Sequence, residues 1–486
     1  MAIPAEAFFL DPAYEGTLQQ QIQQLVTEGV LAGRLRAGER MPSSRGLAQH
    51  LGISRITVTL AYTELVSNDY LTSRGRSGYF VSDTAPRPPK FAPSAPVVDG
   101  VDWARAIGQR YSSYTPLARP PDWRSYRFPF IYGQADATLF DHQNWRLCAL
   151  KALGQRDFEA LTADYYEADD ARLVEFITRH ILPRRGIAAQ PDEVLLTLGA
   201  QNALWLSAQV LLAQRRTAAF ENPGYPGLRE ILEQTRCKLQ PIDVDAEGLP
   251  PDALAPDTDV VFTTASHHCP TNVTMPVARR RALLERAARD GFVVVEDDYE
   301  FEVSFSKSPL PALKSLDRTG AVIYIGSFSK SVFPGLRLGY MVGSATFIRE
   351  ARALRALVLR HPPGHLQRTA AYFLSLGHYD SQVNRMGAAY RERRMVMEAA
   401  IRAQGLIKAG QGTAGGSSFW MQTPEGVNSS DLALRLRQKG VLIEPGQAFF
   451  AREEQNQRHY RLAYSSISST RIAEGIGLIA EAVADM

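Results

Sequence analysis

The chain has 486 residues, 45% apolar and 22% charged, and its 54 basic against 51 acidic side chains leave a formal charge of only +3. That composition belongs to a soluble globular protein, and the length is too great for one ordinary core; about three domains are expected, or two for an α/β chain. A membrane span is not expected, because the most apolar long run, Val194 to Ala213, carries Thr197, Gln201, Asn202, Ser207 and Gln209. The N-terminus lacks a basic region followed by an apolar core, so no signal peptide is read and a cytoplasmic protein is expected. Cys148, Cys237 and Cys269 are odd in number and share no metal-ligand spacing, and the neighbours His267 and His268 cannot both face one ion from a regular strand. Neither a disulfide framework nor a metal is expected.

In chain order, Leu18, Ile22, Leu25, Val26 and Leu31 mark an apolar stripe on a helix over Thr17 to Leu31. Gly33, Gly38 and Pro42 then break the chain. Ser43-Ser44 caps a short helix over Arg45 to Leu51, Gly52 makes a tight turn, and Ser54 caps a third helix to about Asn68, with Ile56, Leu60 and Leu65 expected inward. Tyr70-Leu71 and Gly78 to Val81 read as two short strands around a basic tip, Ser73 to Ser77. From Arg34 to Val81 seven arginines stand against Glu39, Glu64 and Asp69, a net +4 that exceeds the excess of the whole chain. A helix, turn and helix followed by a basic wing points to double-stranded DNA. The runs Met-Pro-Ser-Ser-Arg ending at Arg45, Leu-Gly-Ile-Ser-Arg-Ile-Thr-Val ending at Val58, and Gly-Arg-Ser-Gly-Tyr-Phe-Val ending at Val81 resemble GntR-type winged helices, with Met41 where leucine is usual. The resemblance implies that Arg45, Ser54, Arg55, Thr57, Arg74 and Gly78 lie at the DNA, with Arg76 beside Arg74 in the wing.

Residues 82 to 125 hold eight prolines and little periodic apolar pattern, the composition of an extended, semi-rigid linker. The expected domains are thus 13–82 and 126–486, joined by a linker over 83–125. Trp103, Ile107 and Tyr111 fit one helical face inside that linker, able to dock on either domain.

From Phe128 onward strands and helices alternate. Val194 to Leu198, Ala218 to Phe220, Val260 to Thr264, Phe292 to Val295 and Val322 to Ile325 read as buried strands, which implies an α/β fold with a mostly parallel sheet and crossover helices. The last of these runs into a Gly-Ser-Phe-Ser turn that ends at Lys330, placing an amine at the mouth of the sheet. Such a lysine alone is an ordinary solvated amine. Here Ser327 and Ser329 add hydroxyls, Arg337 adds a fixed charge, and Pro334-Gly335 turns the chain between them. Ser327 to Lys330 also fits the Ser-x-x-Lys nucleophile motif of penicillin-binding enzymes, but the Ser-Asp-Asn and Lys-Thr-Gly partners of that motif are missing.

The Lys330 segment resembles that of the fold-type I aminotransferases, a likeness spanning roughly residues 126 to 486, in which the lysine holds pyridoxal 5'-phosphate as a Schiff base. Such a cofactor needs a carboxylate for its ring nitrogen, a donor for its ring hydroxyl and amides for its phosphate. Glu296-Asp297-Asp298-Tyr299, in isolation a run of surface acids, matches the family pattern and offers Asp297 and Tyr299. Gly199-Ala200-Gln201 opens a helix after a strand, where free N–H groups attract phosphate, and Ser327, Ser329 and Arg337 complete the cup. Tyr225, otherwise a turn tyrosine, matches the position against the cofactor ring. Cys269 falls where aminotransferases place an asparagine beside the cofactor hydroxyl, and Asn272 replaces a common glycine.

Near the C-terminus Arg461 matches the arginine with which aminotransferases grip a substrate carboxylate. An arginine in an apolar strand needs a buried partner, and a ligand anion is expected to be that partner. A winged helix tethered to an aminotransferase-like domain resembles the MocR family of transcriptional regulators over nearly the whole chain. The likeness implies a homodimer that binds promoter half-sites, acts on RNA polymerase indirectly, and senses an amino compound that displaces Lys330 from the cofactor while Arg461 holds its anionic end. Gly227 stands where members responding to γ-aminobutyrate carry an arginine, and His-His-Cys-Pro-Thr-Asn looks like members associated with taurine or ectoine-derived amines. Two alternatives stay open: a working aminotransferase that also binds DNA, and a DNA-binding protein whose large domain is only a dimerisation scaffold.

Overall fold

Thr17 starts helix α1 (Leu18–Leu31) with a capping box: its hydroxyl accepts from the Gln20 N–H, and the Gln20 side chain accepts from the Thr17 N–H. Ser43 caps α2 (Ser44–Leu51), Gly52 closes it in the left-handed region at φ +67°, and Ser54 caps α3 (Arg55–Ser67). β1 (Leu71–Ser73) and β2 (Tyr79–Val81) pair antiparallel as the wing. These elements belong to the first of two compact units, Met1–Gln109 and Arg110–Met486, in a computed structural model that describes residues 2–86, 100–112, 120–134, 136–164, 168–303, 310–410, 415–452 and 456–486.

The core of the first unit joins Ile22, Val26, Leu47, Val58, Tyr62, Leu65 and Val81, and it takes in Ile3 and Phe8 from ahead of residue 13. One expectation fails here. Ile56 and Leu60 are 70% and 50% exposed, because the helical period that begins at the Ser54 cap turns Val58, Ala61, Tyr62 and Leu65 inward instead. Residues 87–99 and 113–119 of the expected linker lie outside the described residues. Between those stretches the helix is a single turn, Trp103–Ala106, so Ile107 and Tyr111 do not share its face, and all three aromatic and apolar side chains are exposed.

In the second unit a short strand, β3 (Phe128–Pro129), precedes seven strands of the main sheet: β4 (Val194–Thr197), β5 (Thr217–Asn222), β6 (Lys238–Asp243), β7 (Val260–Thr263), β8 (Val293–Asp297), β9 (Val322–Ser327) and β10 (Gly339–Val342). Their order is β4-β10-β9-β8-β7-β5-β6, parallel throughout except that β10 runs against both neighbours. β4 therefore points the same way as β8 and β9, and the three strands deliver Gly199, Asp297 and Lys330 to one edge of the sheet. The strands missed in the sequence are β6, a half-exposed edge strand, and β10, which follows the Lys330 turn.

Five short strands complete the unit: β11 (Ile407–Lys408), β12 (Ser418–Gln422), β13 (Val441–Leu442), β14 (Glu444–Pro445) and β15 (His459–Ala463). An antiparallel sheet runs β11-β12-β15-β14, and β13 pairs with β3. Met397, Leu432, Leu436, Ile472, Ile476 and Ile479 from three helices bury its apolar face. Among the described residues no helix is long and apolar enough to cross a membrane, no cluster of His, Cys, Asp and Glu could hold a metal, and the three cysteines are free.

Candidate functional site

A cavity of ≈ 240 Å³ opens at that sheet edge, lined by Ala200, Gln201, Tyr225, Cys269, Asp297, Tyr299, Ser327, Ser329, Lys330, Arg337 and Arg461, together with Tyr132, Gly133, Gln134, Leu204 and Pro334. Side chains alternate along the end of β8. Glu296 accepts from the Leu313 and Lys314 N–H groups at 2.8 and 3.0 Å, and Asp298 meets Arg185 Nε at 2.7 Å and the Tyr324 hydroxyl at 2.9 Å. Only Asp297 of the three faces the cavity, and neither neighbour is a surface acid. Burial first, then the charges of Asp298 and Glu221, push its carboxyl up to about 7 against the pull of Lys330. Its Oδ1 is buried with no hydrogen-bond partner, a costly placement until a donor reaches it.

Lys330 Nζ sits 4.2 Å from the centroid of the Tyr132 ring. Gly133, at φ +72°, makes room for it, since a Cβ there would stand 2.1 Å from Nζ. Gly199, at φ +79°, a conformation that favours glycine, starts the helix Ala200–Leu211, with the Arg337 guanidinium 3.5 Å from where a Cβ would be. Ser327 Oγ accepts from the Ser329 N–H at 3.2 Å, while Ser329 Oγ is buried and unpartnered. A helix N-terminus, a guanidinium and two hydroxyls make an anion cup. Burial pushes Tyr225 up to about 12, and its ring packs on Gly227, where a Cβ would lie 2.7 Å from the hydroxyl. Tyr299 donates its proton to His267 O at 2.9 Å, so its oxygen faces a ligand as an acceptor rather than as the expected donor. An open acceptor at Asp297, an amine at Lys330 and an anion cup beside them fit pyridoxal phosphate.

Arg461 stands on β15 directly across from Glu444 on β14, and cross-strand neighbours share a face. Its Nε donates to Glu444 Oε2 at 2.8 Å, its guanidinium lies 4.1 Å from the Tyr132 centroid and 4.7 Å from that of Phe449, and Nη1 is 3.9 Å from Cys269 Sγ. Burial opposes its charge, but the Glu444 carboxylate outweighs that and holds the guanidinium ionised. The expected buried partner is therefore a protein acid. Cys269 is buried, and burial lifts its thiol to about 11. Asn272 is corrected: it does not line the cavity, and its amide nitrogen donates to Ser418 O and Oγ at 2.5 and 3.0 Å, tying the His267 to Asn272 turn to β12.

In the first unit Arg45, Ser54, Arg55, Arg74 and Arg76 are exposed, Thr57 is half-buried, and Gly78 takes φ +96° at the wing tip. Arg55 Nε donates to Ser44 Oγ at 3.4 Å, drawing together the starts of α2 and α3. Arg74 lies 4.6 Å over the Phe80 ring and 3.7 Å from Asp83.

Tyr132, Gly133 and Gln134 were missed in the sequence because they follow a two-residue strand with no periodic pattern; their only local signal was a glycine beside an aromatic. Glu444 was missed because its role exists only in the register of β14 with β15.

Comparison with known proteins agrees with this geometry. Residues 138–479 match the model of aminotransferase class I and II, and residues 18–81 match that of bacterial regulatory proteins of the gntR family. The chain is 60% identical to the HTH-type transcriptional regulator TauR of Rhodobacter capsulatus over 99% of this chain and 100% of that one, and 30% identical to the probable rhizopine catabolism regulatory protein MocR of Rhizobium meliloti over 81% and 79%. Among solved structures, LysN, an α-aminoadipate aminotransferase from Thermus thermophilus complexed with N-(5'-phosphopyridoxyl)-L-leucine, superposes with a TM-score of 0.72 at 26% identity, covering 79% of this chain and 99% of that chain. Kynurenine aminotransferase from Pyrococcus horikoshii, in complex with PMP, gives 0.70 at 26% identity over 79% and 98%. The chain belongs to the MocR family of helix-turn-helix transcriptional regulators, in which a gntR-type DNA-binding domain is joined to a class I and II aminotransferase domain.

Proposed function

We propose that this regulator binds pyridoxal 5'-phosphate and uses it to sense a primary amine with an anionic end group. The observation that carries this reading is that Lys330 Nζ and the Arg461 guanidinium lie 4.2 and 4.1 Å from the centroid of one ring, Tyr132, within one cavity. A small molecule there meets an amine-reactive end and an anion-binding end at once. When bound, the cofactor supplies an aldehyde that condenses with primary amines. Asp297 accepts the proton of the ring nitrogen, Ser327, Ser329, Arg337 and the Ala200 and Gln201 N–H groups hold the phosphate, and Tyr225 covers the ring. Tyr299 and Cys269 border the ring hydroxyl. Arg461 turns the donors not used by Glu444 to a sulfonate or carboxylate.

The winged helix, with Arg55 and Thr57 at the start of the recognition helix and Arg45, Ser54, Arg74, Arg76 and Gly78 around it, reads promoter DNA in the cytoplasm. A homodimer carries two such modules, each joined to its aminotransferase-like domain through a Pro-rich segment, and reaches RNA polymerase indirectly. An effector shifts that assembly only by its differential affinity for two arrangements.

The test is a titration of the cofactor-loaded protein with taurine, an ectoine-derived diamino acid and γ-aminobutyrate, reading visible absorption and affinity for its promoter fragment together. One of the first two should change both signals. If no anionic amine changes either, the sensing reading is lost. The intact set of Lys330, Asp297 and Arg461 favours a second reading, an active aminotransferase with an appended DNA-binding domain, which sustained turnover of an amino donor and a keto acid would establish.

A further inference from the structure

Beside the main cavity lies a much smaller one of ≈ 20 Å³ that shares Lys330 and Ser329 with it and is bounded by Glu300, Ser417 and Ser465. It has room for one water or one ammonium group. Glu300 is 2% exposed, and one of its oxygens accepts from Ser417 Oγ at 2.5 Å. The other oxygen is buried without a partner, and the Tyr132 and Ser465 hydroxyls are likewise unsatisfied. A buried carboxyl in this state is costly until a donor or cation joins it. The second acid on the wall, Asp136, is already bound to Arg393 and Thr138.

We propose that this side cavity is the resting place of the Lys330 ammonium once an incoming amine has displaced it, with Glu300 as its counter-ion. The inference rests on Lys330 being the cofactor lysine. An amine arrives as an ammonium and gives up its N–H protons as it takes over the bond to carbon, while the lysine nitrogen whose bond is broken gains the same number and leaves as an ammonium. The exchange balances within the site, and a carboxylate beside Nζ keeps the lysine charged and unable to compete its way back.

The groups facing the pair leave this task to Glu300. Asp297 is committed to the ring nitrogen, Arg461 to Glu444, and Cys269 and the hydroxyls of Tyr132, Tyr299 and Tyr390 keep their protons above neutrality. Burial raises the Glu300 carboxyl above its ordinary value, and Ser417, Lys330, Tyr132 and Arg461 oppose that by favouring the charged form, so an ammonium seated beside it completes its ionisation.

Pyridoxamine phosphate has no aldehyde and fills the site while leaving Lys330 unattached. With it bound, the pH dependence of Lys330 acylation by acetic anhydride can be read by mass spectrometry, using exposed Lys439 in the same sample as the standard. In wild type Lys330 should titrate at or above Lys439. Glu300→Gln should lower its midpoint by about one pH unit or more, roughly a tenfold gain in reactivity at mildly alkaline pH, and Glu300→Asp, which keeps the charge, should restore most of the difference. An unchanged midpoint in Glu300→Gln overturns the proposal. So does a wild-type midpoint well below that of Lys439, a measurement that needs no variant to fold. Loss of the cofactor reading would look different, as failure of pyridoxamine phosphate to bind at all.

Discussion

At one end of the cavity Asp297 and Ser329 keep buried polar atoms without partners, while at the other Arg461 is matched by Glu444 and covered by Tyr132 and Phe449. Open polar atoms gain free energy when a ligand supplies what they lack, so the first end is built for tight, permanent occupancy. The second end is stable as it stands. An anion there gains only the donors Glu444 leaves over, which suits a reversible signal better than a fixed group.

Breaking each end separately tests that contrast. Lys330→Ala should have the largest effect, complete loss of covalent cofactor attachment with the fold retained, since the anion cup is untouched. Borohydride reduction and peptide mapping read it, and a modified lysine elsewhere would refute the assignment.

At the matched end, Arg461→Ala removes the guanidinium from a buried ion pair and leaves the Glu444 carboxylate buried without its counter-charge. It should destabilise the second unit by about 3–5 kcal/mol, and the Arg461→Ala/Glu444→Ala double variant should recover much of that, although neither responds to an anionic amine. Denaturant melts of the wild type, Arg461→Ala, Glu444→Ala and the double variant give the coupling. Equal stability of single and double variants would mean that the pair contributes nothing.

Asp297 sharpens the contrast through pH. Its folded pKa of about 7 lies above the ordinary 3.8, so in cofactor-free protein its contribution to stability is full below the lower value and is lost as pH rises through the higher one. Asp297→Asn removes that loss. The cofactor-free variant should gain on the order of 1–2 kcal/mol over wild type by about pH 8 and nothing near about pH 4, while binding the cofactor more weakly. Thermal melts across that range check the sign, and a gain independent of pH would show that Asp297 carries no such cost. The smallest effect is expected from Gly227→Ala. Its new Cβ pushes the Tyr225 hydroxyl aside and should cost about 1 kcal/mol and shift the visible spectrum of bound cofactor.

The sequence was most informative where chemistry follows a strand end. Lys330, Asp297 and the Gly199 turn could be placed because parallel strands deliver their C-terminal residues to one edge. Arg461 was legible as a position, but its pairing was not, because Glu444 meets it only through strand register. In the first unit the caps Ser43 and Ser54 and the Gly52 turn were legible from local hydrogen-bonding chemistry, whereas the Thr17 cap was not singled out. Ile56 and Leu60 were misassigned because an apolar residue was taken to mean an inward face, whereas the spacing of Val58, Ala61, Tyr62 and Leu65 decides which stripe is buried. The Tyr132 segment is held by main-chain bonds, Phe130 N–H to Leu442 O and Ala463 N–H to Phe130 O, which no side-chain pattern announces.

Gly133 leaves a mark that would be visible in genetics. Any side chain there would begin 2.1 Å from the Lys330 amine, in a left-handed backbone conformation that only glycine adopts without strain. Most single-nucleotide changes in a glycine codon replace the residue outright or leave it silent, with little graded between. A screen for cells that no longer answer the effector should therefore recover codon 133 repeatedly, as alleles blind to the signal yet still able to occupy their promoter.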